Sequence, residues 1–410
     1  MHRVFARRAS WDLTPNELAR RVAERRAGGR PLVDLADANP THASLRGPRE
    51  ALRAALEAAA RDPESARYEP DPRGDPAARE AVAAWHREDG ARVGAEQIVL
   101  TAGTSEGYAH VFRLLGDPGD VVHLPAPGYG LFEHLAALEG LEASRYPLRP
   151  PPAGEARWRV DVEALAAELG PRSRAVLLVH PHNPTGSFVD PADLAALRAL
   201  AAERRVALVS DEVFADSARG PGAPAGALAG AEDGPLCVVL SGVSKLLALP
   251  QCKLAWLAVG GRSALRDEAL ARLEFIADAY LSVSPLLARA LPRLLAARRG
   301  IARELLARVG ENRARLADAL RSAPGAALLP AEAGWSALVR CDAHAAGASD
   351  EEALVLALLE RGVLVQPGFV FDLEPLHAGG AHLVVSLLAE PDVFARGAEL
   401  VADALAGRPG

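Results

Sequence analysis

Between about residues 95 and 260 the chain repeats one pattern: a short apolar run, a turn, then a stretch with helical spacing. The runs at 98–100, 121–124, 175–179, 206–209 and 238–240 read as strands buried on both faces. Helical stretches such as 191–204, with its Leu and Ala spacing, separate most of them. This alternation constrains the fold more than any other feature, because it demands an α/β domain with a mostly parallel sheet covered by helices. Ligands of such sheets sit beyond the carboxyl ends of the strands. A further strand is expected at 253–259. Residues 285–320 read as a long helix, kinked or broken near Pro292 and Gly300. After about 322 the character changes. Short strands near 337–339, 363–365 and 383–387 alternate with helices at 350–361 and 391–405, which predicts a smaller α+β domain. The expected units are an N-terminal arm and small-domain segment (1–45), a large domain (46–290) and a small C-terminal domain (291–410). In the basic first 30 residues, Thr14-Pro15 reads as an N-cap and first helical position. Pro/Gly/Ala loops are expected near 148–154 and 219–234.

Composition narrows the function. Of 46 basic residues only two are lysine, Lys245 and Lys253. A lysine kept in so arginine-rich a chain marks a place where a guanidinium cannot substitute, because only lysine can lose its proton and act as a nucleophile. A net charge of −7 argues against a nucleic-acid or anionic-membrane partner. Cys237, Cys252 and Cys341 are odd in number and lack C-x-x-C spacing, which fits free thiols in a reducing cytoplasm. The N-terminus shows no apolar signal region, and no apolar run reaches the roughly 18 residues of a spanning helix.

Four segments at or just after strand ends could carry chemistry. Thr101-Ala-Gly-Thr-Ser-Glu106 opens a helix, and successive backbone N–H groups with two hydroxyls there suit an anion such as phosphate. His180-Pro-His-Asn-Pro-Thr-Gly186 is a turn that can aim the Asn183 amide at the sheet's edge. Its H-x-H spacing raises zinc, but no Cys, Asp or Glu stands beside the pair, and no metal is expected. Ser210-Asp-Glu-Val-Phe214 puts the Asp211 carboxylate at a strand terminus, where it can cap a helix or hold a cationic ring nitrogen. Ser241-Gly-Val-Ser-Lys245 sets Lys245 among small and apolar residues, and burial lowers an amine pKa toward neutrality. A Schiff-base lysine needs that shift. Phosphate cradle, amide, carboxylate and lysine on one edge describe pyridoxal 5′-phosphate. Its phosphate would anchor at 103–105, its aldehyde on Lys245 and its ring nitrogen on Asp211, which keeps the ring an electron sink.

From about Asp34 to Leu405 the sequence resembles the class I/II aminotransferases, fold type I pyridoxal-phosphate enzymes. The motifs run in family order: Ala38-Asn-Pro-Thr41, Tyr68 with Gly74 and Ala78-Arg79, Gly103-Thr104-Ser105, Pro127-Gly-Tyr129, Asn183-Pro-Thr-Gly186, Asp211-Glu-Val-Phe214, Ser244-Lys245 and Gly362-Val-Leu-Val-Gln-Pro-Gly368. The resemblance implies that Asn39 lies in a substrate-side loop. It implies that Tyr129 stacks on the cofactor ring and acts in catalysis with Lys245 and Asp211. Tyr68 would reach the cofactor phosphate of a neighbouring subunit, so a homodimer is implied, with Ser282 and Ser284 also facing the partner's site. Asn183, Phe214, Ser244 and Lys253 fall at cofactor-binding positions.

Three departures stand out. Phe214 replaces a tyrosine whose hydroxyl the family donates to the cofactor's phenolate oxygen; a phenylalanine cannot donate. Lys253 replaces an arginine on the phosphate, and a point charge lacks the bidentate fork. Val384, in Leu383-Val-Val-Ser386, stands where the family places the arginine that forks the substrate's α-carboxylate. Asn183, the backbone near Asn39, or Arg340 beside Gly334-Trp335 could serve instead. The leading expectation is an aminotransferase moving an amino group between an amino acid or amine and a 2-oxo acid through a Lys245 Schiff base. A lyase (β-elimination) or decarboxylase on the same scaffold is the alternative. A cofactor-sensing regulator is disfavoured, because the 38 residues before Asn39 are too few for a DNA-binding domain and the acidic balance is wrong for DNA.

Overall fold

A computed structural model describes residues 4–88, 90–152, 154–218, 228–374 and 379–408. Of the expected 219–234 loop, residues 219–227 lie outside the described residues. The N-terminal part contributes helix α1 (Glu17–Ala27), strand β1 (Val33–Asp34), and helices α2 (Arg46–Arg61) and α3 (Pro76–Glu88). Helix α1 starts later than Thr14-Pro15 suggests. Asn16 is the cap, its side-chain oxygen accepting the Ala19 N–H at 2.8 Å, while Thr14 N–H is drawn aside to Asp12.

The large sheet follows: β2 (Ile98–Thr101), β3 (Val121–Ala126), β4 (Glu142–Arg149), β5 (Arg159–Val160), β6 (Ser173–Val179), β7 (Ala207–Asp211), β8 (Cys237–Gly242) and β9 (Ala255–Gly260). Their spatial order is β2-β9-β8-β7-β6-β3-β4-β5. The block β8-β7-β6-β3-β4 is parallel, and β9 runs antiparallel to both its neighbours. Helices α4 (Thr104–Leu115), α5 (Leu131–Leu138), α6 (Val162–Glu168), α7 (Pro191–Arg204), α8 (Val243–Leu246) and α9 (Ser263–Asp278) connect or cover it. The central strands are buried at nearly every position, as both-face burial requires.

Three details differ from the sequence expectation. Strand β7 begins one residue late, after Arg205 in a left-handed turn, and includes Asp211 as its last residue. Lys253 is not the first residue of a strand but sits in a left-handed turn (φ 48°), and β9 starts at Ala255. Strand β4 is half exposed and carries Glu142, Arg145 and Arg149, so it has no apolar run to betray it.

The long helical region is two helices, α10 (Pro285–Ala296) and α11 (Arg298–Leu320). The break falls at Ala297. Pro292 stays inside α10 and Gly300 inside α11. Leu291, Leu294, Leu295 and Ile301 pack with Trp85, Leu246 and Trp256 against the large sheet. Further along α11, Leu305, Val309, Leu316 and Leu320 belong to a second core. That core also holds Val33, Leu35, Ala43 and Leu45 from the N-terminal segment and the apolar faces of β11 (Ser336–Asp342), helix α12 (Glu351–Glu360), β12 (Val363–Leu364), β14 (Gly380–Ser386) and α13 (Pro391–Leu405); Leu328 of β10 (Ala327–Leu328) packs against it, and β13 (Gln366–Pro367) pairs with β14. The smaller sheet has the order β10-β11-β14-β13, and β1 pairs with β12. The chain is thus a large α/β body with a mostly parallel sheet and a smaller α+β body built from its C-terminal part and an N-terminal segment. Among the described residues no helix is long and apolar enough to cross a membrane.

Candidate active site

Sheet register assembles the site. Thr101 of β2 and Gly242 of β8 both pair with Ala255 of β9. The segments leaving β2 and β8 and the one entering β9 therefore meet at one edge. They carry Gly103, Lys245 and Lys253. One strand over, Asp211 pairs with Leu240 and with Val179, after which the chain turns through His180–Gly186. All of this lies at the carboxyl ends of the parallel strands, where such sheets bind ligands.

Gly103 caps the N-terminus of α4, which Thr104 and Ser105 open. A Cβ on Gly103 would come within 3.1 Å of Lys253 Nζ, so the glycine lets the ammonium approach the exposed N–H groups of the helix. Lys253 forms no ion pair among the described residues. Cationic side chain and helix N-terminus converge on one spot, an arrangement that attracts an anion. Half-buried Ser244 stands beside it on α8.

Asp211 is buried, and desolvation pushes its carboxyl up to about 6, against the hydrogen bonds it accepts from Val213 N–H (3.2 Å) and Tyr108 Oη (2.9 Å) and the pull of Lys245. Lys245, on short helix α8, is shifted below the ordinary lysine value by burial, with Asp211 opposing. Its Nζ stands 5.1 Å from the ring centre of Trp335, and Phe214 meets the same indole edge-on at 5.1 Å. Tyr129 is 46% exposed, contacts Phe132 edge-on, and has its phenol raised by burial and then by Asp211. Asn183 is half buried in a clasped loop. Gly186, at φ 68°, offers its carbonyl to the N–H groups of Glu332 and Ala333, and a Cβ there would lie 2.4 Å from Ala333 O. This clasp fixes the Asn183 loop against the segment that bears Trp335.

The remaining expected residues are placed differently. Asn39 caps a single turn at Pro40–His42, its side-chain oxygen occupied by Thr41 N–H and Oγ1. Tyr68 is 80% exposed and lines a cavity of about 250 Å3 with Pro70, Leu281, Ser282 and Val283. Ser282 donates to Glu106 of α4 at 2.7 Å, and Ser284 precedes α10. Val384 is 3% exposed, in a cluster with Leu338, Phe371 and Leu373 against which Trp158 and Leu329 pack. Arg340 lies on the same sheet face, one register row beyond the Leu338–Val384 row on that face, and lines a cavity of about 940 Å3 with Arg145, Trp158 and His382.

Sequence reading missed Tyr108 and gave Trp335 no role. Tyr108 falls on the buried face of α4, where its spacing looks like core. Trp335 acts through a contact between segments about 90 residues apart. The only signal for Tyr108 was its rarity, one of five tyrosines.

The residues present fit pyridoxal 5′-phosphate: an anion cradle with a converging cation, a buried carboxylate, and a half-buried amine beside aromatic rings. An α/β body with this set on its strand ends, joined to a smaller α+β body, is the fold type I arrangement. The sequence pattern of the family aminotransferase class I and II matches residues 30–381, and the chain belongs to that family. It is 32% identical to the arginine–pyruvate transaminase AruH of Pseudomonas aeruginosa over 332 residues, 78% of each chain. It is 33% identical to the valine–pyruvate aminotransferase of Mycobacterium tuberculosis over 187 residues, 45% of this chain and 46% of that one, so the match spans less than half of that relative. The structure of an alanine aminotransferase from Pyrococcus furiosus superposes with a TM-score of 0.85 over 98% of this chain and 99% of that one, at 20% identity, a likeness of fold.

Proposed function

We propose that the protein is a pyridoxal-phosphate-dependent aminotransferase that passes an amino group from an amino acid or amine to a 2-oxo acid. The observation that carries this reading is the pair Asp211 and Lys245, a buried carboxyl and a half-buried amine beside neighbouring strand ends, each shifted toward its neutral form. Bound pyridoxal 5′-phosphate would supply an aldehyde for the lysine and an electron sink for the bonds around the reacting carbon.

The roles of the side chains follow from their surroundings. Lys245, desolvated, releases its proton more readily than an exposed lysine, so its amine can attack a carbonyl carbon. Freed from that bond, the same amine can take a proton from the substrate carbon and return it as general base and acid. Asp211 offers negative charge to a ring nitrogen. Lys253 and the N–H groups at Gly103, Thr104 and Ser105 would hold the phosphate. With the cofactor bound, Tyr129 would cover one ring face, Asn183 would offer its amide to the ring's oxygen, and Phe214 would give that oxygen no hydrogen bond. Trp335 keeps the lysine in an apolar, water-poor setting.

Position 384 gives a substrate carboxylate no cation. Arg340, one register row beyond the Leu338–Val384 row on that face, stands roughly 7 Å further along it. We therefore read the substrate as an amine whose carboxylate, if it has one, is recognised elsewhere than at 384. The exposed Tyr68 and Phe275 support a homodimer in which Tyr68 reaches the partner's site. The buried, free Cys237, Cys252 and Cys341 suit the cytoplasm.

The test is a panel of donors, including amines without an α-carboxylate, given to the purified protein with pyridoxal 5′-phosphate and a 2-oxo acid. An aminotransferase forms one new amino acid for each donor consumed and releases no ammonia. Ammonia in step with donor loss would establish the lyase, which the missing cation at Val384 and missing hydroxyl at Phe214 leave as the second reading.

A further inference from the structure

Tyr108 stands where three parts of the site meet. It lies one helical turn past Thr104 on α4, the helix whose N-terminus forms the anion cradle. Its hydroxyl donates to Asp211 Oδ2 at 2.9 Å. Its ring lies against Phe112 at 5.7 Å and Phe132 at 5.1 Å, and Phe132 in turn meets Tyr129 edge-on at 5.7 Å. The side chain is fully enclosed. We propose that Tyr108 is a positioning residue for the cofactor: its hydroxyl fixes the rotation of the Asp211 carboxylate and favours its ionised form, so that the carboxylate is ready for the ring nitrogen. This rests on the pyridoxal-phosphate reading above.

The chemistry supports a donor rather than mere packing. A carboxylate has about four lone-pair directions, and Tyr108 and Val213 N–H occupy two, leaving capacity for a further N–H. Burial and the adjacent carboxylate push the Tyr108 phenol well above its ordinary value, so it keeps its proton and can only donate to Asp211. The other titratable groups facing Asp211 among the described residues are Lys245 on α8 and Tyr129 ahead of α5. A phenylalanine at 108 would fill the same ring space, and a buried hydroxyl without a partner is destabilising. Its presence is explained by the bond it makes.

Tyr108→Phe keeps the ring and removes the donor. The measurement is the equilibrium affinity of the cofactor-free protein for pyridoxal 5′-phosphate, by absorbance titration from pH 5.5 to 8.5. Loss of a hydrogen bond to a charged group predicts a roughly tenfold weaker affinity at pH 7, and an acid limb moved up by about one pH unit. Phe112→Leu disturbs the same ring without touching the bond, and its acid limb stays at the wild-type position. A Tyr108→Phe profile that overlays wild type overturns the proposal, and so does an equal shift in Phe112→Leu. Wild-type protein that binds no pyridoxal 5′-phosphate would overturn the cofactor reading itself, a result distinct from normal wild-type binding with an indifferent Tyr108→Phe.

Discussion

The edge of the large sheet and the facing side of the small sheet are built on opposite principles. On the large sheet, ionisable groups are drawn out of water and held there: Asp211, Lys245 and Tyr108 are all shifted by burial. On the small sheet, Val384 and Leu338 present hydrocarbon, sealed by Phe371, Leu373 and Trp158. Buried charge destabilises a fold, and it persists where a reaction needs it. Hydrocarbon carries no such penalty, and at 384 it leaves that stretch of the sheet without charge. The end of the cleft proposed to hold the cofactor therefore concentrates shifted ionisable groups, and the end proposed to face the substrate is hydrocarbon.

The largest effect should come from Lys245→Arg. The fold survives, because the guanidinium keeps a charge near Asp211, but amino transfer falls by at least about a thousandfold, as loss of nucleophile and acid–base group requires. Measurable turnover in single-turnover assays would break the assignment of the cofactor end. Next comes Val384→Arg, which forces a guanidinium into an apolar cluster. We expect a loss of about 3 kcal/mol or more in denaturant unfolding, with no gain in KM for α-amino acids. A stable variant with a lower KM would show that position 384 opens to substrate and would erase the contrast between the two ends.

Asp211 gives an effect of similar size that needs no cofactor. Its folded pKa of about 6 lies above the ordinary 3.8, so its contribution to the cofactor-free fold is full below about pH 4 and is lost as pH rises through about 6. The difference amounts to something on the order of 3 kcal/mol. Asp211→Asn should remove that part of the pH dependence and melt higher than wild type at pH 8. Parallel wild-type and variant curves from pH 4 to 8 would mean the carboxyl is better hydrated than its burial implies. Smaller still is Phe214→Tyr, which should lower the pH midpoint of the bound cofactor's absorbance change by about a unit, since a new donor favours the phenolate. An unchanged or higher midpoint would show that the indole of Trp335 keeps the new hydroxyl away from the ring.

Much of this was legible in the residues. Apolar runs in the central parallel strands are conspicuous because both faces are buried, whereas β4, half solvated and dotted with charge, was invisible. Pro292 reads as a helix breaker, yet α10 runs through it, because Leu291, Leu294 and Leu295 anchor both sides of the proline in the core. Asn16 outcompeted Thr14 as a cap through one hydrogen bond that no pattern reveals. The residues expected to hold the cofactor stood out because all but Tyr68 lie within a few positions of a strand end.

Local order along the chain decided the α/β class, the strand-end chemistry and the identity of the two lysines, since strands, turns and caps depend on near neighbours. Tertiary structure alone decided that Tyr108 bonds Asp211 across 103 positions, that Trp335 screens Lys245, and that Val384 is sealed in hydrocarbon. Those contacts arise where separate elements converge, and burial, hydrogen-bond geometry and pKa are properties of that convergence rather than of any short stretch of sequence.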